Sequence, residues 1–126
     1  AVAAREMQIR AADAAEAHLY HELARVREHA DLDACWRWLN AHGAGHRYAI
    51  ETGGTRRYDE PAYRPGDVLV FGSEGPGITT TDLRRFPPED VLALPMLPGN
   101  RSVNLSNTVA IVAYEAWRQQ GFDATP

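Results

Sequence analysis

The run Val68-Leu69-Val70-Phe71, followed at once by Gly72, constrains the fold more than any other stretch of the sequence. Four consecutive apolar residues do not alternate with polar ones, so both faces of the segment require burial. That is the pattern of an interior strand in a parallel sheet, not of a strand with one face in water. Parallel strands need crossover connections, and these usually carry helices.

The neighbouring sequence supplies such alternation. Asp31 is placed to N-cap a helix whose stripe Leu32, Cys35, Trp36 and Leu39 recurs at helical spacing and which stops near Gly43. Residues 46–52, centred on Tyr48, Ala49 and Ile50, read as a strand broken by Gly53-Gly54. Arg64-Pro65-Gly66 is a turn ahead of the strand at 67–71. Thr79 to Thr81 caps a short helix through Phe86, stopped by Pro87-Pro88. Residues 90–96 read as a further strand, and a loop over 97–104 leads into a helix over about 105–120 ended by Gly121. Upstream, the Ala-rich residues 1–20 read as a helix and residues 23–29 as a short strand. The expected fold is α/β, with a mostly parallel sheet flanked by helices.

A chain of 126 residues is one domain by size and buries a core without staples. No apolar run approaches the roughly 18 residues of a membrane span, and the charged, Ala-rich first residues do not resemble a signal peptide. The single cysteine, Cys35, excludes an internal disulfide and a cysteine-based zinc site and reads as a packing residue on its helix. The expected setting is cytoplasmic, with no metal and no membrane partner. Trp36 and Trp38 read as core and rim of that helix. The net charge of −4 does not favour non-specific nucleic-acid binding. The chain has no lysine, and all 13 basic residues are arginine, the better fork for phosphate and base edges, though a compositional habit is the favoured explanation and charge alone does not suggest RNA.

Two segments concentrate polar and flexible residues at strand ends, where α/β sheets place ligands. The first is Phe71-Gly72-Ser73-Glu74-Gly75-Pro76-Gly77-Ile78. Its glycines permit close approach of backbone to a ligand, or simply a tight turn. It is neither the dinucleotide fingerprint nor a P-loop. The second runs from Leu94 to Asn107 and reads LPMLPGNRSVNLSN. Ser102, Asn104, Ser106 and Asn107 crowd a helix N-terminus beside Arg101. One cap suffices for a helix, so the surplus points to ligand contact as readily as to capping.

Taken together, FGSEGPGI and LPMLPGNRSVNLSNTVAIVAYEAWRQ resemble two motifs of the SPOUT class of RNA 2′-O-methyltransferases, in its SpoU branch. The 22-residue step from Gly72 to Leu94 and the Tyr20-His21-Glu22 triplet are similar to the subgroup that methylates the anticodon wobble nucleotide of tRNA. The resemblance runs from about Tyr20 to Gly121. It implies a single domain over 1–126 with an atypical N-terminal helix at 1–20 and a knotted cofactor-binding region at 67–121, the knot being a C-terminal trefoil. It implies S-adenosylmethionine as cofactor, tRNA as substrate and a homodimer. By position, Ile50, Gly72, Leu94 and Ser102 match cofactor contacts, joined by Gly77 and Met96, with Glu74 and Asn104 near the methionine part. Arg101, Glu74 and Asn104 are the candidate catalytic residues. Arg101, Arg56 and Arg57 are the candidate RNA contacts, with Arg84-Arg85 a further basic pair. Tyr114, Trp117 and Arg118 match the dimer face.

The implied reaction is in-line methyl transfer from a sulfonium to a ribose 2′-hydroxyl. The family's first motif, of the type N-T-G-N-x-x-R, is absent from this sequence, and only Arg10 remains where relatives carry the basic stretch L-R-R-A-G-L-D-Y. Two readings therefore stand: a wobble-nucleotide methyltransferase, or a non-catalytic dimer that binds S-adenosylmethionine or tRNA without turnover. A shortened chain, a piece of a longer protein and a replaced N-terminal segment all account for the difference.

Overall fold

The computed structural model describes residues 29–43, 45–72, 77–100 and 104–122. The helix expected over 1–20, most of the strand expected over 23–29, and Glu74, Arg101 and Ser102 lie outside the described residues.

Helix α1 spans Leu32–His42. The Asp31 carboxylate accepts from the Ala34 N–H at 2.8 Å, satisfying one of the free donors at the helix start. Gly43 ends the helix in the left-handed region at φ 66°, with its N–H donating to the Leu39 carbonyl. Leu32, Cys35 and Leu39 are buried on one stripe. Cys35 is thus the packing residue its spacing predicts.

Among the described residues four strands follow: β1 (Arg47–Ile50), β2 (Arg56–Arg57), β3 (Val68–Phe71) and β4 (Val91–Ala93). They form one sheet in the order β2-β4-β1-β3, parallel throughout. Helix α2 (Thr80–Leu83) is capped by the Thr79 hydroxyl, which accepts from the Asp82 N–H at 3.2 Å. A 3-10 turn, Pro88–Asp90, leads into β4, and α3 spans Leu105–Gln119.

The pleat divides the apolar runs between two cores. Ala49 of β1 and Val70 of β3 face Leu32, Cys35 and Leu39 of α1, together with Ile78 and Phe86. Tyr48, Ile50, Phe71 and Leu92 face the opposite way and pack with Val109 and Val112 of α3 and with Tyr63. Both faces of the sheet are therefore covered, which is why β3 is apolar at every position. Full burial of side chains such as Leu32 or Phe71 contributes roughly 1.5–3 kcal/mol each. Trp36 and Trp38 lie at the margin of the first core, Trp36 meeting Phe86 edge-on at 5.3 Å.

The sheet differs from expectation in two places. β4 ends at Ala93 where a strand to Met96 was expected. Pro95 has no N–H to donate and restricts the backbone of Leu94, so the ladder stops there. β2 was not expected, because two arginines carry no strand signal. Its pairing comes from β4: Arg56 is level with Leu92 and Arg57 with Ala93, and the Tyr58 N–H continues the ladder to the Ala93 carbonyl at 3.0 Å. Leu92 thus lies between Ile50 on one side and Arg56 on the other. Residues 51–55 span those two flanking positions, about 10 Å at ordinary strand spacing.

Candidate cofactor site at the strand ends

In a parallel sheet all strands end at one edge. Ile50 is level with both Phe71 and Leu92, so the residues that follow (Glu51, Gly72 and Ala93-Leu94) leave the sheet side by side. Leu105, the first residue of α3, packs against the core that contains Ile50, Phe71 and Leu92. These segments build the edge where ligands bind in such folds.

Glu51 ties the edge together. Its N–H donates to the Leu92 carbonyl at 2.9 Å, and its own carbonyl accepts from the Gly54 N–H at 3.0 Å. Its carboxylate accepts from the Ile78 N–H at 2.7 Å and from the Thr52 N–H at 3.1 Å. Gly77 stands at φ 67°, and a Cβ there would lie 2.6 Å from the Glu51 carboxylate. A Cβ on Gly72 would lie 2.2 Å from the Gly77 carbonyl carbon, and one on Gly54 would lie 2.5 Å from the Leu92 carbonyl carbon. Gly72 and Gly54 are required by backbone crossing backbone, and Gly77 by its left-handed φ.

The structure brings together Ile50, Gly72, Gly77 and Leu94 of the expected cofactor set. Ile50 and Gly72 are buried, and Gly77, Leu94 and Met96 are half-buried. Leu97, just beyond, is 75% exposed, so the loop after β4 leaves apolar surface open beside the strand ends. Asn104 caps α3: its side-chain oxygen accepts from the Ser106 N–H at 2.8 Å, leaving its amide nitrogen for other partners.

The two described candidates for RNA contact, Arg56 and Arg57, are engaged with carboxylates. Arg57 holds Asp59 through two hydrogen bonds, at 2.5 and 3.0 Å, which keeps the Asp59 carboxyl below its ordinary range. Arg56 lies 3.8 Å from Glu60 and donates to the Glu89 carbonyl at 3.4 Å. Arg85 is paired with Asp33, and Arg84 is exposed. On α3, Tyr114 and Ile111 are exposed, Trp117 meets Tyr114 at 5.7 Å and Phe122 at 5.0 Å, and Arg118 is bonded to Glu115 at 2.8 Å.

At the opposite edge of the sheet, buried Asp90 accepts from His46 Nε2 at 2.8 Å. Among the described residues no group of three or more His, Cys, Asp or Glu is placed to hold a metal ion. No helix among them is long and apolar enough to cross a membrane.

The model of the SpoU rRNA Methylase family matches residues 3–114. The chain belongs to this family. A SpoU relative from Burkholderia ambifaria, named tRNA (cytidine(34)-2′-O)-methyltransferase, is 50% identical over 104 residues, covering 82% of this chain and 66% of the relative. A solved structure described as giving insight into 2-OH methylation of C/U34 on tRNA superposes with a TM-score of 0.66 at 36% identity, over 77% of this chain and 60% of that one. An AdoMet-bound rRNA methyltransferase from Sinorhizobium meliloti shares the fold, with a TM-score of 0.58 at 24% identity over 70% of this chain and 33% of that one. The chain thus spans somewhat less than two thirds of the length of the curated relatives it matches. The parallel sheet with flanking helices agrees with this membership and with the fold expected from the sequence.

The sequence reading missed Glu51 and Gly54. An acidic residue directly after a strand and before a Gly-Gly pair is a faint signal, because the carboxylate's partner, Ile78, is 27 positions away.

Proposed function

We propose that the protein is an S-adenosylmethionine-dependent methyltransferase that modifies the ribose 2′-hydroxyl of the tRNA anticodon wobble nucleotide, acting as a cytoplasmic homodimer. The observation that carries this reading is the 50% identity to a tRNA (cytidine(34)-2′-O)-methyltransferase across the segment that holds the strand-end edge. The open apolar surface at Leu94, Met96 and Leu97 suits the face of an adenine, and the AdoMet-bound neighbour shares the fold.

In this reading Ile50, Gly72, Gly77, Leu94, Met96 and Ser102 hold the cofactor, with Glu74 and Asn104 toward its methionine part. Bound S-adenosylmethionine supplies an electrophilic methyl group on a sulfonium. The chain's own task is to position the 2′-hydroxyl, assist the loss of its proton and exclude water. Glu74 and Asn104 serve that positioning, and Arg101 is suited to bind a phosphate beside the target ribose bidentately. Arg56 and Arg57 are secondary RNA contacts, reached by exchanging their present carboxylate partners for phosphates.

We further propose a single domain over 1–126, with an atypical N-terminal helix at 1–20 and a trefoil knot within 67–121. The position of Leu92 between Ile50 and Arg56, with residues 51–55 linking those flanks, supports the knot. The exposed face of α3, with Ile111 and Tyr114 beside Trp117 and Arg118, supports the dimer.

The test is calorimetric titration with S-adenosylmethionine and S-adenosylhomocysteine, followed by methyl transfer to unmodified tRNA. Saturable binding that is lost in Gly72→Val and weakened in Asn104→Ala, with turnover on tRNA, is the expected result. Binding without turnover favours the non-catalytic reading, in keeping with the absence of an N-T-G-N-x-x-R motif from the sequence. No binding by folded protein overturns both readings of the cofactor site.

A further inference from the structure

We propose that Glu51 is a positioning residue that sets the neck of the loop between Gly72 and Ile78 and so determines how tightly this edge holds its cofactor. The inference rests on the cofactor reading above and adds to it a residue outside the expected site.

The argument begins with what a loop at a strand end needs. Its outgoing limb is fixed by the sheet, through Phe71 in register with Ile50. Its returning limb, Gly77-Ile78, carries only an isolated bridge at Gly77 among the described residues, so a side-chain contact adds to what places it. The Glu51 carboxylate makes that contact, accepting from the partly buried Ile78 N–H at 2.7 Å. That bond draws the returning limb onto the strand end so closely that neither Gly72 nor Gly77 has room for a Cβ.

Glu51 is itself held on both sides. Its N–H is bonded to Leu92 of β4, and its carbonyl closes the turn to Gly54. Thr52 engages the second carboxylate oxygen at 3.1 Å from its N–H, which fixes the rotation of the carboxylate plane. One side chain therefore connects the end of β1 to the returning limb at Ile78, while its backbone connects β1 to β4. Removing the carboxylate leaves the Ile78 N–H without its partner in a partly buried setting, and the returning limb is free to move outward.

The experiment uses the full chain, with Glu51→Ala and Glu51→Gln. The amide keeps an oxygen that can accept from Ile78 N–H, so Glu51→Gln is the rescuing variant. Without cofactor, hydrogen exchange at the Ile78 amide is expected to be slow in the wild type and in Glu51→Gln and fast in Glu51→Ala. With S-adenosylmethionine, the dissociation constant is expected to rise about tenfold in Glu51→Ala and to stay within about twofold in Glu51→Gln, the scale of one hydrogen bond to a charged group. Affinity for tRNA should not change, which separates positioning of the loop from general loss of structure. Equal exchange at Ile78 in wild type and Glu51→Ala, or equal cofactor affinity, overturns the proposal. A wild-type chain that shows the protected Ile78 amide yet binds no S-adenosylmethionine overturns the cofactor reading and with it the affinity half of this proposal, while upholding the neck.

Discussion

Gly72 and Gly77 approach so closely that a methyl group on the first would lie 2.2 Å from the carbonyl carbon of the second. Real Cβ atoms do not tolerate such a separation, and the obstructing atom is backbone, so Gly72→Ala must push the returning limb of the loop away. The expected cost is about 1–3 kcal/mol, as for overpacking elsewhere in a close-packed interior. Cofactor affinity should fall with it. Gly53→Ala is the internal control, because a Cβ there meets nothing within 4 Å. Its denaturation midpoint should correspond to a change within about 0.5 kcal/mol. Urea unfolding of the two variants checks both.

Asp90 is a buried carboxylate held by a half-exposed histidine at the other edge of the sheet. In Asp90→Ala, His46 regains water, so the loss is confined to the hydrogen bond and the packing of the 3-10 turn against β4. A destabilisation of about 1 kcal/mol is expected, with cofactor affinity unchanged because the strand-end edge lies at the opposite side. A large loss of cofactor binding in this variant would contradict the separation of the two edges.

Tyr63 is buried, and its hydroxyl donates to the Tyr58 carbonyl. Burial pushes its pKa well above the ordinary 10.0, with Tyr48 and Glu115 adding to the shift. The folded state therefore keeps a proton that the unfolded chain releases near pH 10. The stability linked to this group is fully present below the unfolded value and declines as pH rises from there through the folded value. Tyr63→Phe should cost about 1 kcal/mol at neutral pH, and its deficit relative to the wild type should shrink above pH 10. Parallel urea titrations at neutral and alkaline pH measure that convergence.

Ile111 and Tyr114 are 38% and 39% exposed on the outer side of α3. If this side is the subunit interface, Ile111→Asp introduces an unpaired charge into it and shifts the protein toward monomer at micromolar concentration, with little effect on the monomer's own fold. Sedimentation velocity checks this. An unchanged sedimentation coefficient would place the interface elsewhere.

Elements whose signals are local were legible in the sequence. Asp31 and Gly43 bracket α1 because a cap and a left-handed stop act within a few residues. Gly66 marks its turn at φ 92° for the same reason. The apolar run before Gly72 announced a doubly covered strand. The placement of Ile50, Gly72 and Leu94 at one edge follows from parallel strands ending together. β2 was illegible because its two arginines become a strand only through the carbonyls and amides of β4, 36 positions later at Arg56 and Leu92. Glu51 was illegible for a related reason: a carboxylate's partner is chosen by the fold, and the residue types around it name no partner. The engagement of Arg57 with Asp59 likewise comes from the way the chain turns after β2.

The sheet order carries a consequence for how the protein is made. β4 is the last strand among the described residues, yet it occupies the slot between β1 and β2, which are separated by residues 51–55 alone. A nascent chain that has left the ribosome only as far as Phe86 has the walls of that slot and nothing to fill it. Leu92, fully buried in the finished molecule, has to enter after its neighbours are already synthesised. Half of the sheet's paired positions thus wait for β4. Contacts of such long sequence separation form slowly, so the interval between emergence of β1 and arrival of β4 is when this chain is most exposed to aggregation.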